Sequence, residues 1–551
     1  MNFQTTAAYR APGHERRILC VFPRYGMSFG TFNYSFALAP PVKAFMPPQG
    51  LLLIAALMPK DWQVRFIDEN NASATVEDFR WADAVFTSGM HIQREAIRDV
   101  IERGHRAGKS VILGGASASA APEWYPEADI IHAGEAGDAT LKIFEWVDRD
   151  PSRPPAQEIF FTSERLSMTE YPPPAYHLID LCQYFLSSVQ FSSGCPNGCE
   201  FCDVPVLYGR KPRRKTPAQI IAELDLLAAG GAPSVHFLDD NFFGDPEATR
   251  ELLHELVAWQ DKWDCLVRLS CEATLEISQH PDLCELLQKA YFTNIFCGVE
   301  SPEPEALRAI KKSFNTKTPI LEAIDTFNRY GMEVAVGLIM GFDTDTAETP
   351  RVLADFVRAS QTPVTTLNIL YALPKTPLYK RMETAGRIVS DTGRDSNIEF
   401  LRPYDELIND WLGLIAEVYE PQALYQRYET QAIKTYPNRR RPKFPLRQVT
   451  PRNLRRAFSI FIRLIWHVGI RSDYRRVFWR MFRTQLRRGL IENIFQIALV
   501  AHHLILYSRD TIAGRIHACH FAPRIRWQTS SAQLQETESN ETASSSALVP
   551  K

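Results

Sequence analysis

No disulfide framework can be read from this sequence, because ten cysteines scattered through 551 residues are too sparse for a stapled secreted domain. The opening residues, MNFQTTAAYRAPGHERR, hold no apolar core of a secretory signal, so a cytoplasmic location is the expectation. The longest apolar run beyond the N-terminal half, IENIFQIALVAHHLILY, is interrupted by Glu492, Asn493, Gln496, His502 and His503. Those polar groups make a poor membrane span and a reasonable buried or interfacial helix. A net charge of −2 gives no global pull toward nucleic acid or anionic lipid, so any such preference must sit in local patches. The length exceeds what one core supports and predicts several domains.

Residues 16–145 alternate short apolar runs (RRILCVFP, QVRFID, ADAVFTSG, KSVILGG, ADIIHAGE) with helix-like stretches such as GLLLIAALM, introduced by Pro47 and Pro48. This alternation predicts a parallel, doubly wound (Rossmann-like) sheet. Three runs end in small or turn-forming pairs: Ser88-Gly89 (followed by Met90), Gly114-Gly115 and Gly134-Glu135. Open α/β sheets bind ligands at these strand ends; the alternative is that small residues simply make tight turns. Residues 1–15 are expected to be flexible, and the proline-rich residues 146–185 (RDPSRPP, YPPPAYH) to be a linker.

A second series follows over 186–400. Its candidate strands are SVQFSS, SVHFL, LVRLSC, TNIFCG, EVAVGLI and TTLNILY, separated by helical segments such as AQIIAELDLLAAG. Six β/α units predict a barrel or partial barrel with chemistry at the strand C-termini. Residues 401–528 read as a mainly helical, basic region, and 529–551 as a polar, disordered tail.

Immediately after the first strand of this second series stands FSSGCPNGCEFCDVP, with Cys195, Cys199 and Cys202 and no fourth cysteine nearby. Structural zinc usually takes four protein ligands. A redox CxxC would use Cys199 and Cys202 and leave Cys195 surplus. A [4Fe–4S] cubane normally takes four thiolates, so three would leave one iron open to a small molecule. Gly194 and Gly198 let the backbone wrap closely. Cys265, Cys271, Cys284 and Cys297 match no tight ligand loop and read as core thiols.

The Cys-x3-Cys-x2-Cys spacing after a barrel's first strand, with Phe201 before the last cysteine, resembles the radical S-adenosylmethionine superfamily. That resemblance implies Cys195, Cys199 and Cys202 as ligands of a [4Fe–4S] cluster whose open iron chelates S-adenosylmethionine. An electron from the cluster then cleaves the sulfonium to give a deoxyadenosyl radical. Other strand-end residues fit the picture: Asp239 and Asp240 close the second strand, Glu272 the third, and Gly298 and Glu300 (CGVES) the fourth. Gly337 and Gly341 in VGLIMGFDTDT resemble the fifth-strand adenine segment, and LPKTPL the sixth-strand turn. The competing reading makes the acids helix N-caps.

A doubly wound domain ahead of a radical barrel resembles the cobalamin-binding class, implying cobalamin beside Ser88, Gly89, Met90, Gly114, Gly115, Gly134 and Glu135. One departure stands out. Many such domains carry Asp-x-His-x-x-Gly after the first strand, whose His ligates cobalt, whereas here FPRYGMSFGTF has no histidine. The segments FPRYGMSFGTFNYSF, VKAFMPPQGLLLIAA, SGMHIQRE and FLDDNFFG further resemble the bacterial hopanoid C-2 methylase group. That group implies methylation of an unactivated carbon on a hopanoid or related polycyclic lipid, with cyclisation, rearrangement or oxidation as the enzymatic alternative and a non-catalytic iron–sulfur protein as the third reading. It also implies a reductase or a flavodoxin- or ferredoxin-type electron donor. No general acid or base is expected; Tyr25, Tyr34 and Tyr208 read as packing or loop residues.

From Lys434 to Leu490 the chain is densely basic and rich in aromatics, with Asp473 its acid. In NLRRAFSIFIRLIWHVG, Leu454, Phe458, Phe461, Ile465 and Val468 fall on one helical face. That face predicts either peripheral contact with a membrane or packing on the barrel; nucleic acid is the weakest option. GRKPRRK at 209–215 reads as a solvated loop near the cluster.

Overall fold

The computed structural model describes residues 14–263, 267–391, 394–440 and 451–516. The expected disordered tail and Cys265 lie outside them. Apolar runs of four to six residues rich in Val, Ile and Leu form buried parallel strands when helices cover both faces, and the first half of the chain does this. The strands β1 (Arg17–Phe22), β2 (Gln63–Asp68), β3 (Ala84–Ser88), β4 (Ser110–Gly114), β5 (Ile130–Ala133) and β6 (Glu158–Phe161) form one sheet in the order β2-β1-β3-β4-β5-β6. Every pairing is parallel. Separate apolar clusters cover its two faces, one around Val85, Ile101 and Tyr125, the other around Phe86, Ile112 and Phe144.

The sixth strand corrects the expected linker. Glu158–Phe161 lies within 146–185 yet extends the sheet, paired residue by residue from Ile130↔Glu158 to Ala133↔Phe161. It is a short edge strand between prolines, with Phe161 61% exposed, so its apolar alternation is weak and the flanking prolines dominate the local reading.

The second sheet contains β7 (Ser187–Val189), β10 (Ser234–Phe237), β11 (Arg268–Glu272), β12 (Phe292–Glu300), β13 (Glu333–Met340) and β14 (Thr365–Ile369), in the order β14-β13-β12-β11-β10-β7. All are parallel, and the array is the expected six-unit partial barrel. Between its first two strands, β8 (Ser192–Ser193) and β9 (Arg213–Arg214) form a small antiparallel ribbon. In the GRKPRRK stretch Arg210, Lys211 and Arg214 are exposed, as expected of a solvated loop, whereas Lys215 at its end is buried against Glu223 at 2.5 Å.

The C-terminal region is helical, as expected, but it shares the barrel's core. Trp411, Tyr425, Phe478 and Tyr507 belong to the same apolar cluster as the barrel residues Leu269, Ile295 and Val336. The loop after β1 is locked into it: Phe29, 2% exposed, stacks on Tyr419 at 5.0 Å and meets Tyr507 edge-on at 4.7 Å. Among the described residues no helix is long and apolar enough to cross a membrane.

Candidate active site

The C-terminal edges of the two sheets face one another across a cavity of about 950 Å³. Ser88, Gly89, Met90, Gly114, Gly115, Gly134 and Glu135 line it from the first sheet, Asp240 and Glu272 from the barrel. The strand-end residues singled out in the first domain are thus brought together with the barrel's mouth. Gly115 shows why small residues stand there: its φ is +92°, and a Cβ would lie 2.8 Å from Ser88 Oγ and 2.9 Å from Gly89 N. The turn is too tight for any side chain, which leaves bare backbone facing the cavity.

The cysteine loop is anchored on both sides. Asp239 accepts hydrogen bonds from Phe191 N (2.8 Å), Ser192 N (2.9 Å) and Ser192 Oγ (2.7 Å). Asp240 accepts from Gly194 N at 2.7 Å. Burial raises the Asp239 carboxyl to about 6; it raises Asp240 to about 7, with Asp239, Glu272 and Glu135 adding to the rise and Gly194 N–H opposing it. Both aspartates hold the chain that leads into Cys195. Both oxygens of Asp239 accept from the chain before the cysteines, and Asp239 is not among the residues lining the cavity between the sheets. Gly194, at φ +97°, brings its Cα within reach of the Gly209 and Lys211 carbonyls, where a Cβ would sit 3.0 and 3.2 Å away.

Glu135 comes from the other domain. It accepts from Ser193 Oγ at 2.9 Å and pairs with Arg213 at 2.5 Å and Arg165 at 3.1 Å. One carboxylate therefore ties the first domain's ligand edge to the residues beside the cysteines. Farther along the loop, Glu200 is buried and bonded to Arg381, which also reaches Asp343 at 2.6 Å.

Cys195, Cys199 and Cys202 are free and partly buried, and burial raises all three thiols above their ordinary value. Metal binding at such thiols releases protons and repays that cost. Next to them lies a buried cation that sequence reasoning missed, Lys312, paired with Glu300 at 2.6 Å. Burial pulls its ammonium down, but Glu300, Cys199 and Cys202 together lift it above the usual lysine value. Phe201 packs beneath it, with Nζ 5.8 Å from the ring centroid. Gly298 makes room for the pair, since a Cβ there would lie 2.3 Å from Glu300 Oε1. Glu300 itself has φ +64°, a strained conformation for a non-glycine residue. The signal for Lys312 in the sequence was the Lys311-Lys312 pair, indistinguishable there from a solvated charge.

Three thiols on one loop are the donor type a [4Fe–4S] cubane takes, with one iron left for another ligand. Cys199 and Cys202 open on an outer recess of about 460 Å³, rimmed by Arg210 and Lys311.

Gly341 is backed by Phe400, whose ring would be 2.6 Å from a Cβ, and its N–H is held by Asp345 Oδ2 at 2.6 Å. Gly341, like Phe201, Gly298 and Glu300, is not on the cavity wall between the sheets. Cys284 and Cys297 are buried core thiols, as expected, and Cys271 is buried at the cavity wall.

The loop FPRYGMSFGTF lines the cavity through Tyr25, Ser28, Phe29 and Phe32. The histidine that touches it comes from the C-terminal helix Ile491–Ile512. His503 donates from Nε2 to Ser28 O at 2.9 Å, while its Nδ1 accepts from Tyr34 N at 3.4 Å. Burial pushes the imidazole down to about 3, so it is neutral and both nitrogens are engaged. His503 fastens the loop and is not free to ligate cobalt.

Three family models match the chain in succession. Residues 37–143 match the B12 binding domain, 189–357 the radical SAM superfamily and 376–516 a domain of unknown function, DUF4070. The hopanoid C-2 methylase of Rhodopseudomonas palustris (strain TIE-1) is 49% identical over 513 residues, covering 93% of this chain and 97% of that protein. The bacteriochlorophyllide d C-12(1)-methyltransferase of Chlorobaculum tepidum is 23% identical, covering 70% and 85%. Among solved structures, the radical methyltransferase TsrM from Kitasatospora setae, with cobalamin and a [4Fe–4S] cluster bound, superposes with a TM-score of 0.55 at 16% identity, over 76% of this chain and 96% of that one. The cobalamin-dependent radical enzyme OxsB gives 0.57 at 14% identity, over 96% and 84%. These two likenesses establish the fold.

Proposed function

The chain belongs to the family of the hopanoid C-2 methylase, the cobalamin-binding radical S-adenosylmethionine methylases, and on that premise we propose that it methylates an unactivated carbon of a hopanoid or closely related polycyclic lipid. The observation that carries this reading is one cavity shared by the strand C-terminal edges of both sheets, with three free thiols on the loop that follows β8. The cofactors are a [4Fe–4S] cluster, S-adenosylmethionine and cobalamin. Together they supply a carbon radical and a methyl donor, which an unactivated C–H requires because it offers neither an acidic proton nor a nucleophile.

The chain's own residues hold these groups and exclude water. Cys195, Cys199 and Cys202 would ligate the cluster, with Lys312 offsetting its negative charge. Asp240, Glu272, Gly298, Glu300, Gly341 and Phe201 would surround S-adenosylmethionine directly or from behind. The backbone at Ser88-Gly89-Met90, Gly114-Gly115 and Gly134-Glu135 would receive cobalamin. Phe29, Phe32, Phe45 and Met46 give the cavity an apolar wall, which suits a polycyclic hydrocarbon skeleton. The reaction is placed in the cytoplasm, at the membrane from which the lipid is drawn. Arg210 and Lys311 around the outer recess favour an acidic electron carrier of the flavodoxin or ferredoxin type, or a reductase. Deleting the gene in a hopanoid-producing host tests the assignment: a methylated polycyclic lipid should vanish from the mass spectrum, and an unchanged lipid profile would overturn the substrate.

A further inference from the structure

The basic C-terminal region carries an apolar surface that the sequence pattern misplaced. Along the helix Pro451–Leu464 and the π-helical segment Ile465–Arg471, the residues that pack inward are Ile460, Phe461, Leu464 and Val468. Phe461 meets Phe482 and Phe495 at 6.4 and 6.3 Å, and Leu464 and Val468 are buried in the common core. A second apolar row, Leu454, Phe458, Ile462, Trp466 and Ile470, points outward with exposures of 57, 66, 50, 51 and 51%.

The backbone limits the drift of that row. An α-helix turns about 100° per residue, so each four-residue step overshoots a full circle by about 40°. From Leu454 through Phe458 to Ile462 the row therefore drifts. The wider π turns of Ile465–Arg471 fall short of a full circle in four residues, so the step from Trp466 to Ile470 turns back. The π segment thus checks the drift and keeps Ile470 on the side that Ile462 and Trp466 occupy.

We propose that this row is a docking surface for an anionic lipid bilayer, on which the protein lies peripherally. The surroundings select that occupant. Arg455, Arg463 and Arg471 are exposed on the same two segments, and Arg475, Arg476, Arg483, Arg487 and Arg488 are exposed on and just after the next helix, Arg475–Arg487. Among the described residues none of these has a carboxylate within ion-pair distance, whereas Arg480 has Glu429 at 3.6 Å. Exposed aromatics and aliphatics accompanied by these arginines match headgroup phosphates above and acyl chains below. A second copy of the chain would set arginine rows against each other with no acids to pair them.

The inner face of the helix that carries the row packs toward the cavity. Ile460 packs with Leu499 against Phe36, in a cluster that includes the cavity residues Phe32 and Phe45. Phe461 packs on Phe495, beside Gln496 and Val500, which also line the cavity. One layer of side chains separates the docking helix from the site where a lipid would react. The biological purpose of docking rests on the lipid-substrate reading; the binding itself does not.

The test is co-sedimentation of the reconstituted full chain with vesicles of phosphatidylcholine alone or with phosphatidylglycerol, lacking any polycyclic lipid. Binding should require phosphatidylglycerol and weaken with salt. It should fall at least tenfold in the variant F458S/I462S/W466S, while circular dichroism and iron content stay unchanged, as expected for exposed positions. A milder variant, W466F, should keep binding but lose the blue shift of tryptophan emission on adding vesicles. Absence of vesicle binding, binding unaltered by the triple substitution, or a wild-type dimer that the triple variant converts to monomer would each overturn the proposal. Since these vesicles contain no substrate, a failure of the methylation reading leaves their outcome untouched.

Discussion

Replacing Lys312 with methionine would leave Glu300 with a buried charge and no counter-ion. The two side chains are 10% and 9% exposed and 2.6 Å apart, and among the described residues Lys312 is the cation that reaches this carboxylate. Breaking one side of a buried pair costs about 3–5 kcal/mol. The pair lies near the cysteine recess, where water can approach, so the lower figure applies: about 3 kcal/mol, or roughly a hundredfold in the folding equilibrium. Removing both charges, E300Q/K312M, should recover most of this, because the orphaned carboxylate is gone. The assay is urea denaturation of the apo-protein followed by tryptophan fluorescence, with wild type, both single variants and the double completing the cycle. A second readout separates a role at the cluster from mere packing: with a cation withdrawn from beside the thiolates, the reconstituted cluster should become harder to reduce. A K312M cost below about 1 kcal/mol, or a double variant as unstable as the single, would refute the reasoning.

Substituting Cys199 with alanine should abolish iron-dependent absorbance after anaerobic reconstitution and cleavage of S-adenosylmethionine, leaving cobalamin retention intact. Gly115→Ala forces a side chain into a positive-φ extended conformation that is essentially glycine-only, at about 1–3 kcal/mol of strain before its close contacts with Ser88 and Gly89; cobalamin retention, read by absorbance, should fall while iron content persists. Asp240 also makes a pH prediction. Its carboxyl is raised from 3.8 to about 7, so the native state binds its proton more tightly than the unfolded chain. The associated stability is fully present below about pH 4 and is lost as pH rises through about 7. D240N, whose amide oxygen can still accept from Gly194 N, should flatten the decline in apo-protein stability between about pH 5 and 8 relative to wild type, and an equal slope in both would count against it.

Much of the architecture was legible because its signals are local. The five apolar runs of the first domain and the six of the barrel became strands in the expected order, and the glycines closing β3, β4 and β5 do face the ligand cavity. The three cysteines are legible through a resemblance, in their spacing and in their place after the barrel's first strand. What stayed hidden depends on contacts between distant residues. Nothing in a two-residue lysine run says that Lys312 is buried, because its burial depends on Glu300 and Gly298, which arrive from another strand. Asp239 reads as a ligand-binding acid, and nothing local says that the amides of Phe191 and Ser192 use both its oxygens. Likewise, His503 contributes to the loop after β1 from more than four hundred residues away, and the exposed row beginning at Leu454 depends on a helix changing its winding.

The central claim is tested most directly with purified, reconstituted protein, a polycyclic lipid and S-adenosylmethionine bearing a deuterated methyl group. The account predicts a lipid product carrying that CD3 in place of one hydrogen, absent when cobalamin is omitted and absent in Cys199→Ala. Cleavage of S-adenosylmethionine with a lipid product that is rearranged or oxidised but carries no new methyl would contradict it.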